Sequence, residues 1–266
     1  MQTETPKPML KFAANISTMF TEMPLLDRFA AARDAGFEGV EILFPYEEPA
    51  PKVAAAATAA GVEVVLINSS IAEGQGRPGL ACRPELETPF IESIKQARDY
   101  ALTLGVQQVN VLAGSCEPAE RETCLATLRD RLALAADEFS GDGLSVLIEP
   151  INPTDRADYI VPDFDTAMGL LKKSGRPNLG LQFDVYHAAM MGLDPVAAFE
   201  QTLRRIWHIQ FSDMPGRHEP GTGKIDFPAV FAAIERSGYD GWLGAEYHPS
   251  GKTLDSLEWR KLASAA

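Results

Sequence analysis

The chain has 266 residues, 45% hydrophobic and 23% charged, with 21 glycines and 19 prolines. That profile excludes disorder, collagen and coiled coil; at this length one core can remove roughly 75% of the unfolded surface from water, so one large α/β or β domain competes with two small ones. The 24 Lys and Arg against 37 Asp and Glu give a net charge of −13, which repels nucleic-acid backbones and anionic lipid and obliges any anionic substrate to find a local positive site.

Three cysteines, Cys82, Cys116 and Cys124, are odd in number and lack zinc-ribbon spacing. They predict a reducing, cytoplasmic setting and serve as packing or surface residues. MQTETPKPML has no apolar stretch behind a basic cluster, and no run approaches the ~18 apolar residues of a membrane span, so neither a signal peptide nor a span is expected. The sequons at Asn15 and Asn68 are then without meaning.

In chain order, LKFAAN (10–15) predicts a strand and 24–35 a helix. GVEILF (39–44) and VEVVLIN (62–68) follow as strands around an Ala-rich helix at 52–60. A helix at 88–104 carries Ile91, Ile94, Ala97, Ala101 and Leu104 at helical spacing, so its apolar face is core. Then come the strand QQVNVLA (107–113), a helix at 119–139, the strand LSVLIE (144–149) and a helix at 163–174. The strands LGLQFD (179–184), IWHIQF (206–211) and WLGAEY (242–247) alternate with helices at 195–204, 227–237 and near 253–263. Pro195 after Asp194 and Pro228 after Asp226 mark starts, while Gly36, Gly61, Gly105, Gly175 and Gly238 mark stops.

Eight strands alternating with eight helices, without a low-complexity linker, predict a single (β/α)8 TIM barrel of the α/β class over residues 1–266, with 1–8 as a flexible N-terminal extension. The rival is a doubly wound open sheet, which wants a Gly-rich turn straight after its first strand. GQGRPG (74–79) matches the dinucleotide pattern but follows the third strand by six residues, contains Pro78 and opens no helix. It reads as a flexible loop over the barrel mouth.

Barrel active sites lie at the C-terminal ends of the strands. The later strands begin blandly and end in Glu149, Asp184, Gln210 and Glu246, spaced by 35, 26 and 36 residues, while two earlier strands end in Asn15 and Asn68. A buried carboxylate is costly unless paired or metal-bound, so three carboxylates and an amide at consecutive strand ends call for a common partner. A divalent cation would be one such partner, and oxygen-rich ligation suits Mg2+, Mn2+ or Co2+. Separate loop caps or ion pairs are the alternative. His187 follows Asp184 by three residues and faces the expected site; His208, deeper in its strand, reads as structural. In SDMPGRHEPGTGKIDF (212–227), Arg217 is suited to clamp a substrate carboxylate or hydroxyl, with a surface pair to Glu219 as the plainer reading. Glu41 reads as an ion-pair or hydrogen-bond partner inside the barrel.

FAANISTMF, GFEGVEILFPY, RPGLAC, LIEPIN (147–152), LQFDVYH (181–187), HIQFSDMPGRHEPGTGKIDF (208–227) and GWLGAEYHP (241–249) span almost the whole chain. At these motifs the sequence resembles the hydroxypyruvate isomerase family of xylose-isomerase-like TIM barrels. The resemblance implies Glu149 and Glu246 as the acid/base pair, Glu149, Asp184, Gln210 and Glu246 as a metal set, and His187 and Arg217 toward the substrate; Asn68, at the end of its strand, is a further substrate-binding candidate. It implies aldose–ketose isomerisation of a small hydroxy or oxo acid through an enediolate, as from hydroxypyruvate to tartronate semialdehyde, and a possible homo-oligomer. Ketose epimerases of this superfamily carry a histidine where this chain has Gln210. The alternatives are a 2-oxo-tetronate isomerase or ketose 3-epimerase on the same scaffold, and a non-catalytic sugar-acid binding barrel. An endonuclease of this barrel type would need more histidine ligands and a basic groove than four histidines and −13 supply.

Overall fold

The computed structural model describes residues 10–71 and 79–264. The expected extension at 1–8, and residues 74–78 of the GQGRPG loop, lie outside the described residues. Eight parallel strands close into a barrel in chain order, β1 pairing with both β2 and β8. They are β1 (Lys11–Asn15), β2 (Gly39–Ile42), β3 (Glu63–Asn68), β4 (Gln108–Asn110), β5 (Ser145–Ile148), β6 (Leu179–Asp184), β7 (Ile206–Phe211) and β8 (Trp242–Ala245). Each lies within an expected apolar run. Because β5 and β8 stop early, Glu149 and Glu246 stand one residue beyond their strands.

The helices are α1 (Arg28–Asp34), α2 (Ala50–Ala60), α3 (Glu87–Leu104), α4 (Arg121–Ser140), α5 (Phe164–Ser174), α6 (Val185–Met190), α7 (Pro195–Thr202), α8 (Phe227–Ser237) and α9 (Arg260–Ser264). Asp194 and Asp226 cap α7 and α8 by accepting backbone N–H groups, as their Asp and Pro signals predict. Four expected helices carry 3₁₀ turns: before α1 at Leu25–Asp27, before α4 at Pro118–Glu120, before α9 at Thr253–Trp259, and after α7 at Leu203–Arg205. The addition is α6. Asp184 ends β6 and at once accepts the N–H of Tyr186, turning the chain into six helical residues that the strand–helix alternation does not show.

Strand alternation divides the interior. Leu179, Leu181 and Phe183 of β6 join the core against the helices, whereas Gly180, Gln182 and Asp184 face inward. A register shift where β6 meets β7 places Trp207 beside His208, and both turn inward. A Cβ on Gly180 would overlap the Trp207 ring, and one on Gly39 would crowd Trp242. Two indoles therefore seat over glycines on facing strands and fill one end of the barrel. The inward polar residues, Asn15, Asn68, Asn110, Asp184 and Gln210 on strands and Glu149 and Glu246 just past them, collect toward the C-terminal end. Among the described residues no helix is long and apolar enough to cross a membrane, and all three cysteines are buried free thiols.

Candidate active site

Asp184 is 1% exposed, with Glu149 and Glu246 at 6% and 7%. Arg217 bridges two of them: its Nη2 lies 3.3 Å from Asp184 Oδ2 and 3.0 Å from Glu246 Oε2. The guanidinium also stands over the Tyr186 ring, 5.1 Å from its centroid. Glu219, the plainer sequence partner for Arg217, instead binds Ser250 through its side-chain hydroxyl and backbone N–H. His187 Nε2 is 3.6 Å from Asp184 Oδ2 and 3.8 Å from Glu149 Oε1. Asn110 donates to Glu149 Oε2 at 3.2 Å.

This crowding sets the charge states. Burial, then the Glu246 and Asp184 carboxylates, hold the Glu149 carboxyl well above the usual range, with Arg217 pulling the other way. Burial raises Glu246 to about 7 against the pull of Arg217, with Asp184 and Glu41 adding to the rise. Burial pushes His187 down to about 4 despite the attraction of Asp184, so its ring is neutral at neutral pH. Burial opposes the charge on Arg217, but Glu246, Asp184 and Glu149 outweigh it and keep the guanidinium protonated.

The neutral ring has a defined tautomer. Asn152 Nδ2 lies 2.7 Å from His187 Nδ1, and the same amide is oriented by Asp155, whose carboxylate accepts from Nδ2 and whose N–H donates to Oδ1. With Nδ1 accepting from Asn152, the proton sits on Nε2 and points at the carboxylates. Asn152 closes LIEPIN, yet nothing in its spacing reveals this role, because the contact joins residues 35 apart.

The expected metal set is divided. Glu149 and Asp184 lie with His187, one donor atom from each falling within 4.8 Å of the others. Gln210 is tied into the interior: its Oε1 accepts from Gln182 at 2.5 Å and its Nε2 donates to Glu41 Oε2 at 2.9 Å. Glu41 also accepts from Asn15 at 3.0 Å and is hydrogen-bonded to His208 Nε2. Glu41 and His208 are thus the partners inside the barrel that the sequence suggested. Asn68 is 5% exposed, in register with Asn110, and its Oδ1 has no partner among the described residues.

Arg217 has a left-handed backbone, φ 56°, which costs a non-glycine residue about 1–2 kcal/mol and marks a position fixed by its surroundings. Its carbonyl accepts from His248 N–H at 2.8 Å, tying the loop to the end of β8 two residues beyond Glu246. On the outer wall, a groove of about 550 Å³ between α4 and α5, lined by Glu122, Arg129, Asp165 and Lys173, lies away from these strand ends.

Residues 29–263 match the family described as Xylose isomerase-like TIM barrel. The chain belongs to that family. It is 39% identical over 255 residues, covering 95% of this chain and 98% of the relative, to the 2-oxo-tetronate isomerase of Cupriavidus necator. It is 35% identical over 253 residues, covering 94% and 98%, to the hydroxypyruvate isomerase of Escherichia coli. A crystal structure of a Brucella melitensis protein titled AP endonuclease, family 2, superposes with a TM-score of 0.92 at 37% identity, covering 95% of this chain and 98% of that one.

Proposed function

We propose that this xylose isomerase-like barrel is an aldose–ketose isomerase of small 2-oxo-3-hydroxy acids, converting hydroxypyruvate to 2-hydroxy-3-oxopropanoate by proton transfer between Glu246 and Glu149. The observation that carries the reading is a pair of buried glutamates, both with raised pKa values, flanking a fixed guanidinium and a neutral imidazole. A four-carbon 2-oxo-tetronate is the second reading, favoured by the relative at 39% identity. The acidic balance and the small histidine count argue against nucleic acid as substrate. The three buried thiols favour a cytoplasmic setting.

At neutral pH Glu246, raised to about 7, is ionised in a large fraction of molecules, and burial beside the Glu246 and Asp184 carboxylates favours the proton on Glu149. Glu246 then takes the proton from the hydroxyl-bearing C3, and the electron pair moves into the C2–C3 bond and onto the C2 oxygen. The Nε2–H of His187 faces the negative charge that develops there, while Arg217 holds the substrate's carboxylate. Transfer of the C3 hydroxyl proton to the C2 oxygen, with delivery of the Glu149 proton to C2, leaves an aldehyde at C3 and a hydroxyl at C2. The glutamates have exchanged protonation states and are reset by proton exchange.

The donors also fit a divalent cation, since Glu149, Asp184 and His187 are buried, close and of oxygen-plus-imidazole type. Glu149 and Asp184 would hold it, with His187 the nearest third donor and Glu246 the remaining carboxylate of the expected set. When bound, the cation would polarise the substrate's carbonyl and hydroxyl oxygens as a Lewis acid.

Incubation with hydroxypyruvate or a 2-oxo-tetronate in D2O, followed by NMR, tests the reading. Enzyme-dependent deuterium at C2 of the product is expected, and its absence with both acids overturns it. In the same assay, loss of activity on chelation with recovery on Mg2+, Mn2+ or Co2+ supports the cation; full activity of metal-free protein removes it.

A further inference from the structure

The loop that delivers Arg217 is organised by a side chain that no step of the proposed chemistry uses. Asp213 follows β7 and is fully buried. Its Oδ2 accepts the N–H groups of Gly221 and Gly223, each at 2.8 Å, and its Oδ1 those of Met214 and Ile225 at 2.8 and 3.1 Å. One carboxylate therefore gathers four backbone donors from both ends of the segment 214–225. Its backbone takes part too: Asp213 N–H donates to the His218 carbonyl at 2.8 Å, and Lys224 N–H to that of Met214. A Cβ on Gly223 would overlap Asp213 Oδ1 and the Met214 carbonyl, so the loop closes this tightly only because residue 223 is glycine.

At the far side of this closed loop sit Gly216 and Arg217, consecutive residues with φ of 101° and 56°. The chain reverses there and sends the guanidinium back over Asp184 and Glu246. This reversal is held by the segment just past β8: His248 N–H donates to the Arg217 carbonyl, and the His218 Nδ1 ring nitrogen is hydrogen-bonded to the His248 carbonyl at 2.7 Å. The tip is thus pinned to the barrel at His248 and the base at Asp213. Freed at the base, the same twelve residues could pass the tip in other arrangements, and a left-handed arginine would relax.

We propose that Asp213 is the positioning residue of the substrate clamp, its carboxylate closing the 214–225 loop so that Arg217 is presented to the substrate's acid group. The inference rests on the reading of Arg217 as that clamp. Asp213 touches neither substrate nor the reacting carbons. Its contribution passes through Arg217 and is lost when Arg217 is absent.

A double-mutant cycle reads this directly. Asp213→Asn keeps the size of the side chain but turns an NH2 group toward donors that need an acceptor. The KM for hydroxypyruvate is expected to rise about ten-fold or more, with kcat falling less than about three-fold, because a clamp on the unreacting acid group binds ground and transition states alike. In an Arg217→Ala background the further loss of kcat/KM from Asp213→Asn is expected to stay below about two-fold. The Kd of tartronate, a hydroxy diacid that cannot be isomerised, is measured through the same four proteins and is expected to show the same non-additivity. Equal losses in both backgrounds, or no loss from Asp213→Asn alone, overturn the proposal. If Asp213→Asn does not fold, Gly223→Ala, which forces the same loop open without changing charge, takes its place with the same expected cycle. Wild-type protein that binds tartronate through Arg217 yet isomerises no acid overturns the isomerase reading alone; turnover with an additive cycle overturns only the role of Asp213.

Discussion

Glu41 and Glu149 are both buried carboxylates on the inward face of one barrel, at 0% and 6% exposure, and their surroundings are opposite. Glu41 accepts from Asn15 and Gln210 and pairs with His208, and Gly244 leaves the space it fills, since a Cβ there would overlap Glu41 Oε1. Glu149 accepts from Asn110 and is eased by Gln182, but two carboxylates, Glu246 and Asp184, repel its charge. The first group is supplied with hydrogen-bond partners from two other strands. The second is further relieved by a proton, by Arg217 or by a bound ligand. Chemistry belongs where the partners fall short.

The largest effect should come from the unsatisfied side. Glu149→Gln and Glu246→Gln are each expected to reduce turnover by about 10²–10⁴-fold, with circular dichroism unchanged and thermal stability no lower than wild type. Near-wild-type turnover in either would refute the acid/base pair. On the satisfied side, Glu41→Ala strands His208, Gln210 and Asn15, and urea unfolding should show a loss of about 3–5 kcal/mol. A small loss would break the contrast.

The third difference is pH dependence. Glu246 is raised in the folded state from 4.5 to about 7, so between those values the native protein holds more protons than the unfolded chain, and stability falls as pH rises through the window. The contribution is about 3 kcal/mol, fully expressed below 4.5 and lost above 7. His187 is depressed from 6.5 to about 4; there the unfolded chain binds more protons, so its contribution is present above 6.5 and lost as pH falls toward 4. Urea midpoints measured from pH 5 to 8 should therefore show a fall that Glu246→Gln flattens and His187→Asn steepens. Identical slopes in all three proteins would show that these groups do not set the pH response.

The barrel was legible because its signals are local. Each strand core from LKFAAN to WLGAEY is a short apolar run, and Asp194 and Asp226 act as caps within three residues of the groups they serve. The site was legible as a set of strand ends: Glu149, Asp184, Glu246, His187 and Arg217 do converge. The joining of Gln210 to Gln182 and Glu41 instead of to that cluster was not legible, because strand alternation gives a side chain's face but not which neighbour its amide meets. Asn152 and Asp213 were missed for a related reason. One acts 35 residues away on His187, and the other acts through backbone N–H groups, which every sequence possesses.

The amino-acid sequence by itself determined the alternation of strand and helix, the end of the barrel that carries polar groups, and the acidic character of what collects there. These follow from burial periodicity and capping chemistry, which operate over a few residues. Tertiary structure decided which carboxylates share Arg217, which nitrogen of His187 bears the proton, and which buried glutamate is satisfied. Those outcomes depend on distances of 3–4 Å between strands far apart in the chain, where burial raises the cost of every unpaired charge.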